Sequence, residues 1–152
     1  MLEIEKDRKT KTAVICPVIK TAAGMMTAEE EAARENEAVG LVLAMGQEVV
    51  FCETVRMSAI VPKSFFGKGT LERLKTACEE KGAELLVVDM PVSAVQQRNL
   101  EKMLNMKVID RTAVILEIFG QRAQTREGKL QVELAHLTYQ RGRLVRSWTH
   151  LE

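Results

Sequence analysis

Residues 84–110 read ELLVVDMPVSAVQQRNLEKMLNMKVID, and this stretch decides the fold. Its opening, ELLVVD, is an apolar run too short for a helix and rich in β-branched residues, the signature of a strand buried on both faces. After Pro91, Ser93-Ala94-Val95-Gln96 has the form of a capping box, in which the serine oxygen and the glutamine side chain satisfy free amides reciprocally. A helix is expected from there to about Leu104, and KVID at 107–110 supplies another short strand. Strand, helix and strand in this order make a β-α-β unit, whose strands run parallel through a right-handed crossover.

The same alternation continues toward the N-terminus. Residues 12–19 (TAVICPVI) form a buried strand, with Pro17 weakening or bending it near its end. Thr27-Ala28-Glu29-Glu30 is a second capping box. The helix it opens is expected to run to about Met45, with Ala32, Val39, Val42 and Leu43 on its buried side and Gly46 as its stop. Residues 47–56 (QEVVFCETVR) read as the next strand. Thr70 is expected to cap a helix to about Lys81 that buries Leu71, Leu74, Ala77 and Cys78, with Gly82 ending it. The fold class is therefore α/β: a four-stranded, mainly parallel sheet with flanking helices.

Residues 111–152 follow as a helical arm without a proline. Gly120 and Gly128 bracket a polar decade. Because each glycine costs about 1 kcal/mol in a helix interior, two helical pieces are expected, with a break around 124–128 and Thr125 capping the second. A separate short helix is expected at 144–150, after a turn at Arg141-Gly142-Arg143. The organisation is thus a charged tail (1–11), an α/β subdomain (12–110) and a helical subdomain (111–152).

Composition and charge narrow the function. The chain has 152 residues, 46% hydrophobic and 28% charged, as expected for a folded soluble protein. Its net charge of +1 advertises no global affinity for nucleic acid. The distribution is uneven: residues 1–110 hold 15 basic and 17 acidic side chains, and residues 111–152 hold 7 and 4. The basic surplus lies on the arm, where it suits either an anionic partner or a solvated helix face. Cys16, Cys52 and Cys78 are widely spaced in apolar surroundings, which fits reduced thiols in a cytosolic protein. There is no Cys-x-x-Cys and only two histidines, so no metal site is expected. No run has the length of a signal peptide core or a membrane span, and a cytoplasmic location is expected.

Three sets of residues are candidates for chemistry. Gly67-Lys68-Gly69-Thr70 precedes a helix but is not a Walker A loop, since Pro62 stands where the first glycine is needed and Gly69 follows the lysine. It is either a looser anion-binding turn or a tight turn that needs glycine dihedrals. Asp89 and Asp110 end their strands, where ligands bind in doubly wound sheets; they serve either an acid/base or metal function or local backbone amides, with Asp110 capping the arm. Arg122, Arg126, Lys129, Arg141, Arg143 and Arg146 form a basic set with Tyr139, Trp148 and His150 nearby. Arginine forks suit phosphates, and aromatic rings stack on unpaired bases. No nucleophile–histidine arrangement can be assembled, and no catalytic residue is assigned.

Residues 96–102 (QQRNLEK), 108–112 (VIDRT), 115–119 (ILEIF), 121–123 (QRA), 125–135 (TREGKLQVELA), 143–146 (RLVR) and 148–152 (WTHLE) resemble the N-terminal region of HflX-type GTPases. The resemblance is dense over 96–152 and extends more loosely, through FGKG at 66–69, to about residue 12. It implies an α/β subdomain followed by a long helical hairpin. It further implies a ribosome-associated protein whose N-terminal module binds the large ribosomal subunit and its rRNA, and whose relatives act in splitting or rescue of stressed ribosomes. The family's glycine-rich loop, second long helix and GTPase domain, with its GTP and magnesium, follow the equivalent of Glu152. The chain itself is therefore expected not to hydrolyse GTP, and the GTPase domain is an expected partner. Independently, Leu130, Leu134 and Leu137 form an apolar stripe that should not remain in water; self-association through the arm, or folding back onto the sheet, is expected.

Overall fold

The computed structural model describes residues 8–20, 24, 26–123 and 125–151, with side chains to Arg141. The strands are β1 (Lys11–Ile19), β2 (Glu48–Met57), β3 (Leu85–Val88) and β4 (Lys107–Asp110). The helices are α1 (Ala28–Ala44), α2 (Lys68–Lys81), α3 (Ala94–Leu104), α4 (Arg111–Arg122) and α5 (Arg126–Leu151). The strands make one sheet in the order β2-β1-β3-β4, and every pairing is parallel.

Alternation along the central strand divides the core in two. Ala13 and Ile15 of β1 join Leu71, Leu74, Cys78, Leu100 and Leu104 of α2 and α3 on one face. Val14 and Cys16 join Ala38, Val42, Ala113, Val114 and Ile118 of α1 and α4 on the other. Because both faces are covered, β1 reads as an uninterrupted apolar run. Pro17 is tolerated inside it because β3 reaches only as far as Ile15, so the proline has a strand neighbour on one side alone, opposite Val55.

Both capping boxes form. Thr27 Oγ1 accepts from the Glu30 amide at 3.1 Å while Glu30 Oε1 accepts from the Thr27 amide. Ser93 and Gln96 repeat the arrangement. Three local expectations fail. In α1, Val42 is buried, but Ala32 is exposed and Leu43 is 55% exposed. The helix is turned so that Glu31 pairs with Arg56 at 2.6 Å and Arg34 with Asp89 at 3.1 Å; satisfying these charges at the sheet outweighs burying Leu43. In α2, Gly67 rather than Thr70 is the N-cap. Phe65 and Phe66 are fully buried just before it, and this anchor starts the helix a turn early despite the cost of Gly69. Finally, α5 runs unbroken through Gly142 to Leu151, with no separate helix at 144–150; a single glycine without a proline does not stop a helix of this length.

The arm does break where expected. α4 ends at Arg122, Ala123 is extended, and Thr125 Oγ1 accepts from the Gly128 amide at 2.9 Å to open α5. α4 lies on the sheet with α1, and its Gln121 donates to the Met45 carbonyl at 2.9 Å. α5 then doubles back antiparallel along α4: His136 Nε2 lies 3.2 Å from the Leu116 carbonyl, and the Tyr139 hydroxyl donates to Asp110 at 2.9 Å. Beyond Tyr139 the helix continues for about 18 Å at 1.5 Å per residue. Leu130, Leu134 and Leu137 do not fold onto the sheet and remain more than half exposed.

Two measurements check this fold. Asp110, 2% exposed, accepts from Val92 N, Ala113 N and Tyr139 Oη. Tyr139→Phe should lower stability to urea by about 1.5–3 kcal/mol, the worth of a hydrogen bond to a charged group. Asp110→Ala should cost more, since a helix cap is lost as well; wild-type stability in both would contradict the arrangement. At the opposite end of the strands, two Arg8 nitrogens and the Lys11 amide donate to Glu84, holding its carboxyl down from the ordinary 4.5 to about 2. A depressed carboxylate contributes stability above its ordinary range and loses it as pH falls toward 2. An NMR titration should place the Glu84 midpoint near 2 and find it displaced upward in Arg8→Ala.

Candidate nucleic-acid interface

The fold divides the basic residues of the arm between two places. Arg122 closes α4, Arg126 opens α5 and Lys129 follows one turn later; all three are exposed around the turn between the helices. Arg141, also exposed, lies about 22 Å further along α5 at 1.5 Å per residue. The backbones of Arg143, Arg146 and His150 continue α5, while their side chains lie outside those described. The expected set thus follows α5 from Arg126, with Arg122 at the end of α4 beside its start, and is interrupted by Glu127 and Glu133. Such a line can follow a phosphate backbone; it does not form a compact pocket around one phosphate.

Between the two helices a groove of about 460 Å³ is lined by Glu117, Gly120, Lys129, Glu133 and His136, among others. Glu117 Oε2 is buried without a hydrogen-bond partner. His136 is 6% exposed and faces the Leu116 carbonyl. Sequence reading singles out His150 and passes over His136, although its spacing from Val132 and Tyr139 places it on the side of α5 that seats against α4. Gly120 is not forced by crowding there, since an added Cβ would stand 3.5 Å from Val132, an ordinary contact.

The turn at Gly67, Lys68, Gly69 and Thr70 is a separate feature at the start of α2. Gly67, Lys68 and Gly69 are exposed and Thr70 is half-buried. No side chain caps this helix. The preceding loop is held by paired backbone hydrogen bonds between Val61 and Phe65 and by Gln96 and Asn99, which donate to the carbonyls of Val61 and Lys63. Phe65 adopts φ 66°, an unusual conformation for a bulky residue; its burial and the paired bonds hold it there.

The two strand-end aspartates serve different partners. Asp110 takes backbone amides and caps α4, as one of its two readings expected. Asp89 instead pairs with Arg34, which also donates to the carbonyls of Pro17 and Asp89, and lies 3.5 Å from Arg111. The Arg34 guanidinium occupies the crevice between the ends of β1 and β3, where an open parallel sheet would otherwise receive a ligand. Both carboxylates are thus engaged by partners within the fold.

Among the cysteines, Cys16 and Cys78 are buried and Cys52 is half-buried. A hydrogen bond between Cys16 and Cys52 pushes the first thiol up and the second down, while burial pushes Cys78 up to about 11. Among the described residues no group of three or more His, Cys, Asp or Glu side chains is placed to hold a metal ion. No described helix is long and apolar enough to cross a membrane.

Comparison with known proteins places this arrangement. Residues 32–120 match the family described as GTP-binding GTPase N-terminal, and residues 122–152 match the GTP-binding GTPase middle region. GTPase HflX of Magnetococcus marinus is 51% identical over 117 residues, covering 77% of this chain and 27% of that protein. GTPase HflX of Escherichia coli is 46% identical over 117 residues, covering 77% and 28%. GTPase HflX of Treponema denticola is 39% identical over 158 aligned positions, covering 95% and 40%. The chain therefore spans between about a quarter and two fifths of the length of these relatives. A GTP-binding protein from the archaeon Sulfolobus solfataricus, solved in complex with GDP, shares the fold with a TM-score of 0.66 at 21% identity, over 92% of this chain and 40% of that one. These matches make one assignment: the chain belongs to the HflX family of GTP-binding proteins, whose N-terminal region it spans.

Proposed function

We propose that this chain is the ribosome- and RNA-binding module of an HflX-like GTP-binding protein that acts on the large ribosomal subunit, in splitting or rescue of stressed ribosomes. The module is not itself catalytic. GTP and magnesium belong to the GTPase domain found in longer relatives, which is the module's partner within the same protein, and the setting is the cytoplasm. The observation that carries this reading is the exposed basic run of Arg126, Lys129 and Arg141 on α5, with Arg122 at the end of α4 beside its start. Arg143, Arg146 and His150 extend it in sequence. Guanidinium groups held on a rigid rod suit the irregular phosphate surface of folded RNA.

Co-sedimentation with purified large subunits across a salt series tests the proposal. Binding should weaken steeply with salt, because each phosphate contact releases counterions. Replacing Arg122, Arg126 and Lys129 together by alanine should lower the slope of log K against log salt by about 2–3, roughly 1 for each phosphate no longer neutralised. Failure to pellet with large subunits even at low salt would show that the module does not bind by itself.

A second reading makes the chain an α/β nucleotide-binding domain that uses Gly67, Lys68, Gly69 and Thr70. What favours it is the uncapped start of α2, with Lys68 exposed beside its free amides. Calorimetric titration with GTP or ATP separates the two. Saturable heat that disappears in Lys68→Ala would support nucleotide binding at this turn, and no heat up to millimolar nucleotide would remove it.

A further inference from the structure

The two edges of the sheet differ in length. β4, from which the arm departs, has 4 residues, whereas β2 at the other edge has 10 and pairs with β1 alone. Its ladder to β1 fixes which backbone groups point outward. Met57, opposite Ile19, accepts the Lys20 amide, so its polar groups face β1. Successive residues of a strand turn these groups to opposite sides, so Val55 and Glu53 also face β1. Cys52, Thr54 and Arg56 therefore direct N–H and C=O outward, and among the described residues none bonds to them. Such an open row is a template for an added strand. Beside it stands one row of α1. Glu31 bonds to Arg56 and Glu35 to the Thr54 hydroxyl, and steps of four residues carry the row on to Val39 and Leu43. The row is thus acidic beside the second half of β2 and apolar beside the first, with Leu43 55% exposed. Arg56 neutralises Glu31, whereas Glu35 pairs with no cation among the described residues.

We propose that the free edge of β2 receives an extended basic peptide segment as a fifth, antiparallel strand, basic in its first half and apolar in its second. The antiparallel direction is the more stable pairing per residue. A segment so placed begins beside Arg56 and ends beside Cys52. Every second side chain falls on the α1 face. Those of the first half meet Glu35, and those of the second cover Val39 and Leu43. On the other face Glu53 is already paired with Arg73 at 2.6 Å, and Phe51 and Val55 pack into the core. Selection therefore rests with α1. Together α1 and β2 carry seven glutamates and two arginines, a balance that repels a second copy of the same surface and attracts a basic partner. The bulge between Val49 and Phe51 ends the usable row before Cys52, which limits the site to a short segment. This surface lies at the edge away from the arm and does not depend on ribosome binding.

Peptide binding and amide exchange test the proposal without RNA. The probes are labelled peptides of about eight residues, near the length of an ordinary strand, with threonine at alternate positions. One carries lysines in its first half and leucines in its second; the other has the halves exchanged. By fluorescence anisotropy the first should bind roughly tenfold or more tightly than the second. Methylating its backbone nitrogens at the pairing positions should abolish binding while leaving its charge intact. Glu35→Lys should weaken binding roughly tenfold; circular dichroism should stay that of wild type, since Glu35 bonds only to the Thr54 hydroxyl. Bound peptide should slow hydrogen exchange at the amides of Cys52, Thr54 and Arg56. Equal binding of the two peptides would overturn the proposal, as would undiminished binding after methylation or no binding up to millimolar peptide. Slowed exchange at the same three amides on concentrating the chain alone would make a second copy the occupant and overturn it too.

Discussion

One buried carboxylate holds the two halves of this molecule in register. Asp110 is the last residue of β4 and the N-cap of α4, so its backbone ends the sheet while its side chain starts the arm. Its oxygens also accept the amide of Val92, from the loop between β3 and α3, and the hydroxyl of Tyr139 from α5. A buried carboxylate is tolerable only when its acceptor capacity is met, and here the donors that meet it come from different elements. The direction in which α4 leaves the sheet and the level at which α5 crosses it therefore follow from the same requirement. Moving either helix leaves charge unsatisfied in the interior.

A related constraint governs the other end of the parallel strands. Where β1 and β3 part, an open α/β sheet offers a crevice for a ligand. In this chain the crevice holds Arg34, bonded to Asp89 and to the carbonyl of Pro17. Glu31, one turn earlier on α1, reaches Arg56 on β2. Charge pairs of this kind gain little net stability against a well-packed apolar alternative, yet they fix rotation, because a guanidinium has to meet its carboxylate in one orientation. That explains why α1 exposes Leu43. The fold has used the crevice between β1 and β3 for bracing.

The sequence announces most of the architecture through short-range signals. The apolar run at Leu85–Val88, the capping boxes at Thr27 and Ser93 and the cap at Thr125 each depend on residues within one turn of one another, and each is found where expected. Features set by distant partners are not legible. Nothing near Leu43 in sequence shows that Asp89 and Arg56 will claim the buried side of α1. Nothing near Thr70 shows that Phe65 and Phe66 will be fully buried and start α2 at Lys68. The basic residues of the arm stand out as a set, but only the fold shows that Arg126 and Arg141 lie at opposite ends of one line. His136 escapes a sequence reading because its partner, the Leu116 carbonyl, becomes visible only once α5 is known to double back.

The arm combines an exposed basic turn with an exposed apolar stripe. Charge on a rigid helix binds phosphate over long distances and with little regard to sequence, whereas an apolar seam binds one neighbour at close range. Placing both on α5 makes them compete for the same rod, unless they occupy different sides or different lengths of it. The fold supplies both separations. α4 covers one face from Val132 to Tyr139, the leucines occupy another, and Arg122, Arg126 and Lys129 gather at the turn where α5 begins. The leucine stripe and the basic turn therefore stand apart on the same element. Tyr139 and Asp110 then set the height at which the whole assembly stands on the sheet.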